Sequence, residues 1–355
     1  MTDNARKELP AYNLIDKPWI RVRLMNGHIA ALGLIEVFER ANEIVTLAET
    51  EPPSFVAQYR ILLAILHRAA TQSFGTWKTE DRAEWYQNGL PLHAIQNYLE
   101  HWRERFWLFH ETHPFIQAAV LDETDKTRNK QKPWTQMSLG NSNGNTPVVF
   151  DHSCDISPTA ITPDRAITTL LGFLQFTPGG LVQVFRSSDK AGPLANTAAV
   201  IAMGDNLAET LALNLHTAPS SQSNQDSDLP AWESAPLALS QLSGDPVFAT
   251  GPNDRYTRQS RAVLLLREDN GNVRWVRYAA GLALAEHHSR PDPMASFRAG
   301  NKGPVRLTFR EGRATWRDLP AIVPGPNENN ENQRSATVIK YAARLHEELE
   351  SGTKK

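Results

Sequence analysis

The chain has 355 residues, 41% of them hydrophobic, and a formal net charge of −2; that supports one large or two smaller cores and excludes a uniformly basic nucleic-acid coat. The single cysteine, Cys154, excludes an intrachain disulfide and fits a reducing cytosol. No apolar run reaches the roughly 18 residues of a membrane span, and the opening MTDNARKELP lacks the apolar core of a signal peptide, so a soluble, cytoplasmic protein without membrane contact is expected.

In chain order, the first element reads as a hairpin. Ile20, Val22 and Leu24 alternate with Arg21 and Arg23, and Asn26-Gly27 supplies the turn. A helix is expected after Pro52-Pro53-Ser54, with Ser54 as its cap and Phe55, Tyr59, Leu62, Leu63, Leu66 and Ala70 at helical spacing up to Gly75. Another begins at Pro91 and places Leu92, Ile95, Leu99, Trp102 and Phe106 on one stripe, running into His113-Pro114-Phe115 where proline ends it. The tryptophans of these helices read as packing anchors.

From 122 to 145 the pattern disappears into a polar loop with Lys126, Arg128, Lys130 and Lys132, followed by a short strand at Val148-Val149-Phe150. A helix capped by Thr162, with Pro163 at its first position, carries Ala166, Ile167, Leu170, Leu171 and Leu174 and breaks at Thr177-Pro178-Gly179-Gly180. The stretch 220–228 reads as a mobile polar loop. Residues 262–266 and 273–278 flank an Asp269-Asn270-Gly271-Asn272 turn, and a second hairpin is expected across Glu311-Gly312, with Arg306, Arg310, Arg313 and Arg317 on its polar face. Between 254 and 317 there are thirteen basic residues against six acidic ones, a local excess of +7, so the remainder carries −9. A positive face on an acidic body suits a protein that touches nucleic acid on one side, though a solvated surface would show the same charge. Residues 321–335 read as a linker and 336–352 as a terminal amphipathic helix capped by Ser335, with 1–320 as one globular domain.

Candidate catalytic motifs fail on context. Gly140-Asn141-Ser142-Asn143-Gly144 matches G-x-S-x-G, but the strand–turn–helix setting that a nucleophile elbow needs is absent. His110-Glu111-Thr112-His113 spaces its histidines one residue too closely for a zinc-protease helix, and His152-Ser153-Cys154-Asp155 lacks a second ligand cluster. His287-His288 reads as an exposed loop. No phosphate-binding glycine loop or CxxC pair is present. The sequence makes no positive case for an active site, a metal or a cofactor.

Asn13-Leu14-Ile15-Asp16-Lys17-Pro18-Trp19-Ile20 and FWLFHETHPFIQAAV at 106–120 resemble the large, CasA-type subunit of the type I-E CRISPR Cascade complex. The likeness continues in order through Phe150-Asp151-His152, Thr177-Pro178-Gly179-Gly180, Leu229-Pro230-Ala231-Trp232, Tyr256-Thr257-Arg258-Gln259-Ser260-Arg261 (arginine replacing the family's tryptophan at 258), Arg290-Pro291-Asp292-Pro293 and Thr315-Trp316-Arg317-Asp318. The resemblance implies a non-catalytic, RNA-guided antiviral subunit that reads a protospacer-adjacent motif in the minor groove of duplex DNA and helps open the duplex. By position it assigns the reading to Gly179, Gly180, Asn301 and Lys302, with Lys130, Lys132, Phe150 and Asp151 in a supporting DNA-facing loop; the DNA-facing segments fall near 122–152, 177–193 and 290–317. The four arginines at 306, 310, 313 and 317 are then a phosphate track or a subunit interface. Implied partners are the other Cascade subunits, guide RNA, double-stranded target DNA, and a helicase–nuclease or a nuclease domain carried by another subunit.

The expected fold is α+β: one large mixed domain of amphipathic core helices and antiparallel hairpins, without the family's C-terminal wedge and four-helix bundle. The chain stops at Lys355, which reads as the N-terminal domain alone or a natural short form. Two other readings stay open: a nucleic-acid-processing enzyme with a dispersed active site, and a scaffold contacting only guide RNA and protein.

Overall fold

The computed structural model describes residues 10–140, 157–180, 182, 184–217, 227–287, 291–301, 303–323 and 334–352. The N-terminal hairpin is observed and gains a third strand: Ile29–Leu32, Ile20–Leu24 and Ile44–Leu47 form an antiparallel sheet in that order. Ile20, Val22 and Leu24 face the core while Arg21 and Arg23 face solvent, as period-two alternation requires. Gly27 makes the turn possible by adopting φ of +86°.

The buried centre is helical. Helix Pro52–Phe74 is buried nearly all round and packs against Leu92–His101 and Pro163–Phe176. It begins three residues earlier than a Ser54 cap would place it, with Glu51 at the N-cap. Ser54 instead lies inside the first turn where the two long helices cross: a Cβ on Gly172 would sit 2.7 Å from Ser54 Oγ. Helix Pro163–Phe176 starts after Thr162 and ends at Thr177, as expected.

The helix from Leu92 ends at His101, not beyond Phe106. Residues Trp107–Phe109 are a strand paired antiparallel with Ala11–Asn13, and Leu14 N–H donates to Phe106 C=O at 2.9 Å. Tertiary pairing overrides the helical periodicity here. It also joins the two N-terminal signatures: Asn13 Oδ1 accepts the Ile15 N–H, Asn13 Nδ2 donates to Arg103 C=O, and Trp19 Nε1 donates to Leu14 C=O. Trp232 stacks on Phe115 and tilts against Phe106, with centroids 5.7 and 5.3 Å away. Three of the strongest family-like motifs therefore build core.

The stretch expected to be a structureless loop carries regular structure within its described part, 122–140. It holds helix Asp125–Arg128 with Thr124 as cap, strand Lys132–Pro133 and a 3₁₀ turn Trp134–Met137. Elements of two to four residues carry no periodicity to read. Lys132–Pro133 adds to Val273–Ala280, which pairs with Arg261–Arg267 in a second antiparallel sheet.

The second basic hairpin also differs. Gly303–Arg306 pairs with the preceding strand Phe297–Gly300, and 315–318 is a 3₁₀ turn. Leu307 N–H is taken by Ser296 C=O, and Arg313 is drawn to Asp318 within the turn, so the alternating residues after 306 never meet a partner strand. The last helix, Thr337–Gly352, packs on Thr79–Asn88 and Leu207–Asn214 through Leu345, Ala83 and Ala212. Buried Arg82 ties the three together by donating to the carbonyls of Ala212, Leu213 and Tyr341. Among the described residues no helix is long and apolar enough to cross a membrane.

Candidate nucleic-acid interface

Helix Pro163–Phe176 delivers the chain to Thr177, after which the glycine segment doubles back. Gly180 and Asp189 exchange both backbone hydrogen bonds, at 3.1 and 2.8 Å. Gly179 is hemmed in, since a Cβ there would meet Ala191 N at 3.2 Å, whereas nothing lies within 4 Å of a Cβ on Gly180. One glycine thus serves close packing, and the other presents bare backbone outward.

A buried arginine holds this segment from behind. Arg261 donates to Pro178 C=O (2.6 Å) and Lys190 C=O (2.7 Å), lies 3.2 Å from the Asp189 carboxylate, and donates to the Tyr278 hydroxyl at 3.0 Å. Asp189 Oδ2 in turn accepts the Gly281 N–H at 2.9 Å. Burial pushes the Tyr278 hydroxyl above its ordinary pKa, so it remains protonated and able to donate onward.

The hairpin Phe297–Gly300/Gly303–Arg306 presents Asn301 at its exposed tip. Its base is braced by residues following the glycine segment: Ala198 N–H donates to Leu307 C=O, Val200 N–H to Met294 C=O, and Arg306 to Pro193 C=O at 2.9 Å. Glu286 bridges Arg306 (2.8 Å) and Arg255 (2.9 Å). Deeper still, Arg60 on the long helix donates to Gln175 Oε1 (2.7 Å), in the last turn before the glycine segment, and to Asp292, at the root of the hairpin. Burial alone would raise the Asp292 carboxyl; the guanidiniums of Arg60 and Arg255 outweigh it and hold the group below the ordinary carboxylate value. Two separate backbone turns, one glycine-rich and one at a hairpin tip, are fixed to a common buried frame.

The expected residues distribute unevenly over this frame. Lys130 and Lys132 are exposed, with Lys132 on the edge strand that pairs with Trp275 and Val276. Lys126, in the same segment, lies 5.8 Å from the Phe185 ring of the glycine segment, which brings the two stretches side by side. Phe150, Asp151 and Lys302 lie outside the described residues, as do the strand at 148–150, Ser142, His152, Cys154 and His288.

The four arginines do not share one face. Arg306 is a brace. Arg313 is paired with Asp318 at 2.6 Å. Arg310 and Arg317 are exposed. The local basic excess is likewise not all surface: Arg255, Arg258 and Arg261 are buried, and Arg258 ion-pairs with Asp254 at 2.8 Å where the family resemblance has tryptophan.

Sequence reasoning missed Arg60, Gln175, Asp189 and the bracing role of Arg261 and Asp292. A signal existed for Arg60: a lone charge in the apolar run Tyr59-Arg60-Ile61-Leu62-Leu63 is buried only if partnered. Among the described residues no group of three or more His, Cys, Asp or Glu side chains could hold a metal ion.

The family described as CRISPR-associated protein Cse1 matches residues 13–354. A Thermus thermophilus protein described as CRISPR-associated protein CasA/Cse1 is 35% identical over 347 residues, covering 96% of this chain and 65% of the relative. The chain therefore spans about two thirds of that relative's length. The solved Thermus thermophilus CasA (Cse1) matches with a TM-score of 0.79 and 32% identity over 98% of this chain and 68% of that one. A chain of a solved CRISPR RNA-guided surveillance complex matches with a TM-score of 0.77 and 25% identity over 94% of this chain and 68% of that one. With a family match over nearly its full length, this chain belongs to the Cse1 family of CRISPR-associated proteins.

Proposed function

We propose that this chain is a non-catalytic subunit of a type I-E RNA-guided CRISPR surveillance complex. In this reading it inspects duplex DNA for a protospacer-adjacent motif through the minor groove and promotes local opening. The observation that carries the reading is the convergence of two outward-facing turns on one buried frame: Gly179-Gly180 held by Arg261 and Asp189, and the Asn301 turn held through Asp292 and Arg306. Family membership and the likeness to a surveillance-complex chain support it.

The chemistry suits the task. Minor-groove edges present mainly acceptors, so a lysine at 302 donates across several base pairs without demanding one sequence, and a glycine without a Cβ lets backbone approach a groove about 6 Å wide. Guide pairing supplies the long sequence match while the protein reads the short flank. Asn301 assists at the tip, the loop carrying Lys130, Lys132, Phe150 and Asp151 flanks the groove, and Arg310 and Arg317 track phosphates. Guide RNA, the other Cascade subunits, target duplex and a nuclease that acts after recognition are the partners, in the cytoplasm. The buried charged groups near the site are taken up structurally, Arg261 by the Pro178 and Lys190 carbonyls and Arg60 by the Gln175 and Asp292 side chains, which favours a binding role over a catalytic one.

The test is reconstitution. Complex assembled with guide RNA, with and without this chain, is titrated with duplexes that differ only in the flank. Discrimination among flanks is expected only when the chain is present. Equal discrimination without it contradicts the reading, and metal-dependent cleavage of plain duplex by the purified chain would replace it with an enzyme.

A further inference from the structure

The corner where Arg82 ties three helices together holds a cavity of about 490 Å³, lined from the start of helix Thr79–Asn88 and from the second half of helix Thr337–Gly352. Ligand sites usually span roughly 300–1,000 Å³. The cavity shares no lining residue with the glycine segment or the hairpin.

Its charges are balanced in number yet unpaired. Lys78, Arg82 and Arg344 face Glu80, Glu347 and Glu348 around one space. Among the described residues none of the six makes an ion pair, although Arg344 stands three and four positions before the two glutamates on one helix. Exposed charges commonly stand alone in water, but Arg82 is only 1% exposed. Its Nε and Nη2 donate to the neutral carbonyls of Ala212, Leu213 and Tyr341, and Nη1 has no partner among the described residues. Asp81, the acid next to it in sequence, instead accepts the Lys78 backbone N–H at 2.6 Å. Burial pulls the Arg82 pKa down to about 10, and Arg344 presses the same way. At neutral pH the guanidinium is therefore charged, buried and without an acid to balance it.

We propose that this cavity receives the C-terminal end of a partner polypeptide that carries a basic side chain in its last residues. The terminal carboxylate sits on Arg344 and Lys78 in the field of Arg82, and the basic side chain sits on Glu347 and Glu348. Unpaired charge of both signs selects a ligand of both signs. A phosphate with nearly two negative charges would meet three glutamates, whereas one carboxylate offsets Arg82 and leaves the glutamates for a cation. Lys78, Glu80, Arg344 and Glu347 are exposed, so the cavity opens to solvent and a chain enters end first. Trp77, whose Nε1 donates to Thr71, adds an apolar wall for the methylene stem of a lysine or arginine. Capture of a chain terminus is a recurring recognition mode, and here it is independent of duplex reading.

The test uses the full chain and a fluorescein-labelled hexapeptide with a free C-terminal carboxylate and a penultimate lysine, followed by anisotropy. Saturable binding that weakens with salt is expected. Amidating the peptide, or Arg344→Gln in the chain, should each weaken binding about tenfold or more. Replacing the peptide's lysine with glutamine, or Glu347→Gln/Glu348→Gln in the chain, should each cost up to about fivefold, and combining the two should cost little more than either alone. These positions lie on the helix surface, so the variants should melt like the unaltered chain; Arg82 is left in place because its loss would also untie the helices. Absence of saturable binding, equal binding of the amidated peptide, or undiminished binding by Arg344→Gln overturns the proposal. Inorganic phosphate that displaces the peptide better than its unlabelled copy does overturns it in favour of a phosphate site. Free lysine that competes as well as the peptide overturns it in favour of an amino-acid site.

Discussion

Arg60 and Asp292, 232 residues apart in sequence, form an ion pair with both side chains fully shielded from solvent. The same guanidinium holds Gln175 and lies 4.8 Å from the Tyr256 ring centroid, so one side chain fixes the end of the helix before the glycine segment and the root of the hairpin. Removing one partner of a buried pair leaves an uncompensated charge, which costs about 3–5 kcal/mol. Arg60→Met and Asp292→Leu should each lower unfolding free energy by that order in urea titrations. The double variant should lose clearly less than the sum of the two. Additive losses would show that the pair is not a coupled unit.

Acid sensitivity should come from a different buried cluster. His67 and His216 stack with centroids 3.7 Å apart, and Asn253 Nδ2 lies 3.0 Å from His67 Nδ1, leaving Nε2 to donate to Thr217 C=O. Burial pushes His67 down to about 3, and burial together with His67 holds His216 well below its ordinary value despite Asp228 at 3.8 Å. The unfolded histidines bind protons near pH 6.5, so their stabilising contribution is intact above that pH and is lost as pH falls toward the folded values. Asp228 acts oppositely: burial raises it to about 6, so the folded state takes up its proton first and offsets one histidine. The net loss between pH 6 and 4 should be about 1.4 kcal/mol per pH unit. His216→Phe should nearly abolish that slope in melts across this range; an unchanged slope would place the sensitivity elsewhere.

Gly180 and Arg261 separate contact from support. Gly180→Leu enters open space, at the cost of an unusual backbone angle of +157°, and should lower stability by only about 1–2 kcal/mol. It should nonetheless weaken duplex binding about tenfold or more. Arg261→Gln removes the brace on Pro178 and Lys190, so it should lower both melting temperature and binding. Gly180→Leu that binds normally would remove this backbone from the interface.

Local chemistry made much of the framework legible. The alternation of Ile20, Val22 and Leu24 gave a strand with the expected buried face, and Thr162-Pro163 marked the start of a core helix. Thr177-Pro178-Gly179-Gly180 marked its end. What escaped was decided at long range. Trp107–Phe109 has the apolar content of a helix stripe and becomes a strand because Ala11–Asn13 pairs with it. The alternation from Val305 to Trp316 resembled a strand pair, but its first half was already paired with Phe297–Gly300.

The site divides the same way. Its turns were visible as glycines in sequence. Its frame was not, because Arg60 with Asp292 and Asp189 with Arg261 are charges that identify their partners only after folding. Quoted motifs carried two of those residues, Asp292 and Arg261, as pattern matches without a physical role.

The most direct test of duplex reading compares Lys302→Ala with Arg310→Ala. Lys302 lies in the chain between Phe297–Gly300 and Gly303–Arg306. Arg310 is an exposed cation beyond the hairpin and a cleaner control than Arg313, which Asp318 engages. Both variants are assembled with guide RNA and titrated against a panel of flanking motifs at two salt concentrations. Loss of a base-edge donor should cost roughly 1–3 kcal/mol on the preferred flank and compress the differences among flanks. Loss of a phosphate contact should weaken every duplex about equally and reduce the salt slope by about one unit. The account predicts the first pattern for Lys302→Ala and the second for Arg310→Ala; a Lys302→Ala complex that keeps both the ranking and its spread would contradict it.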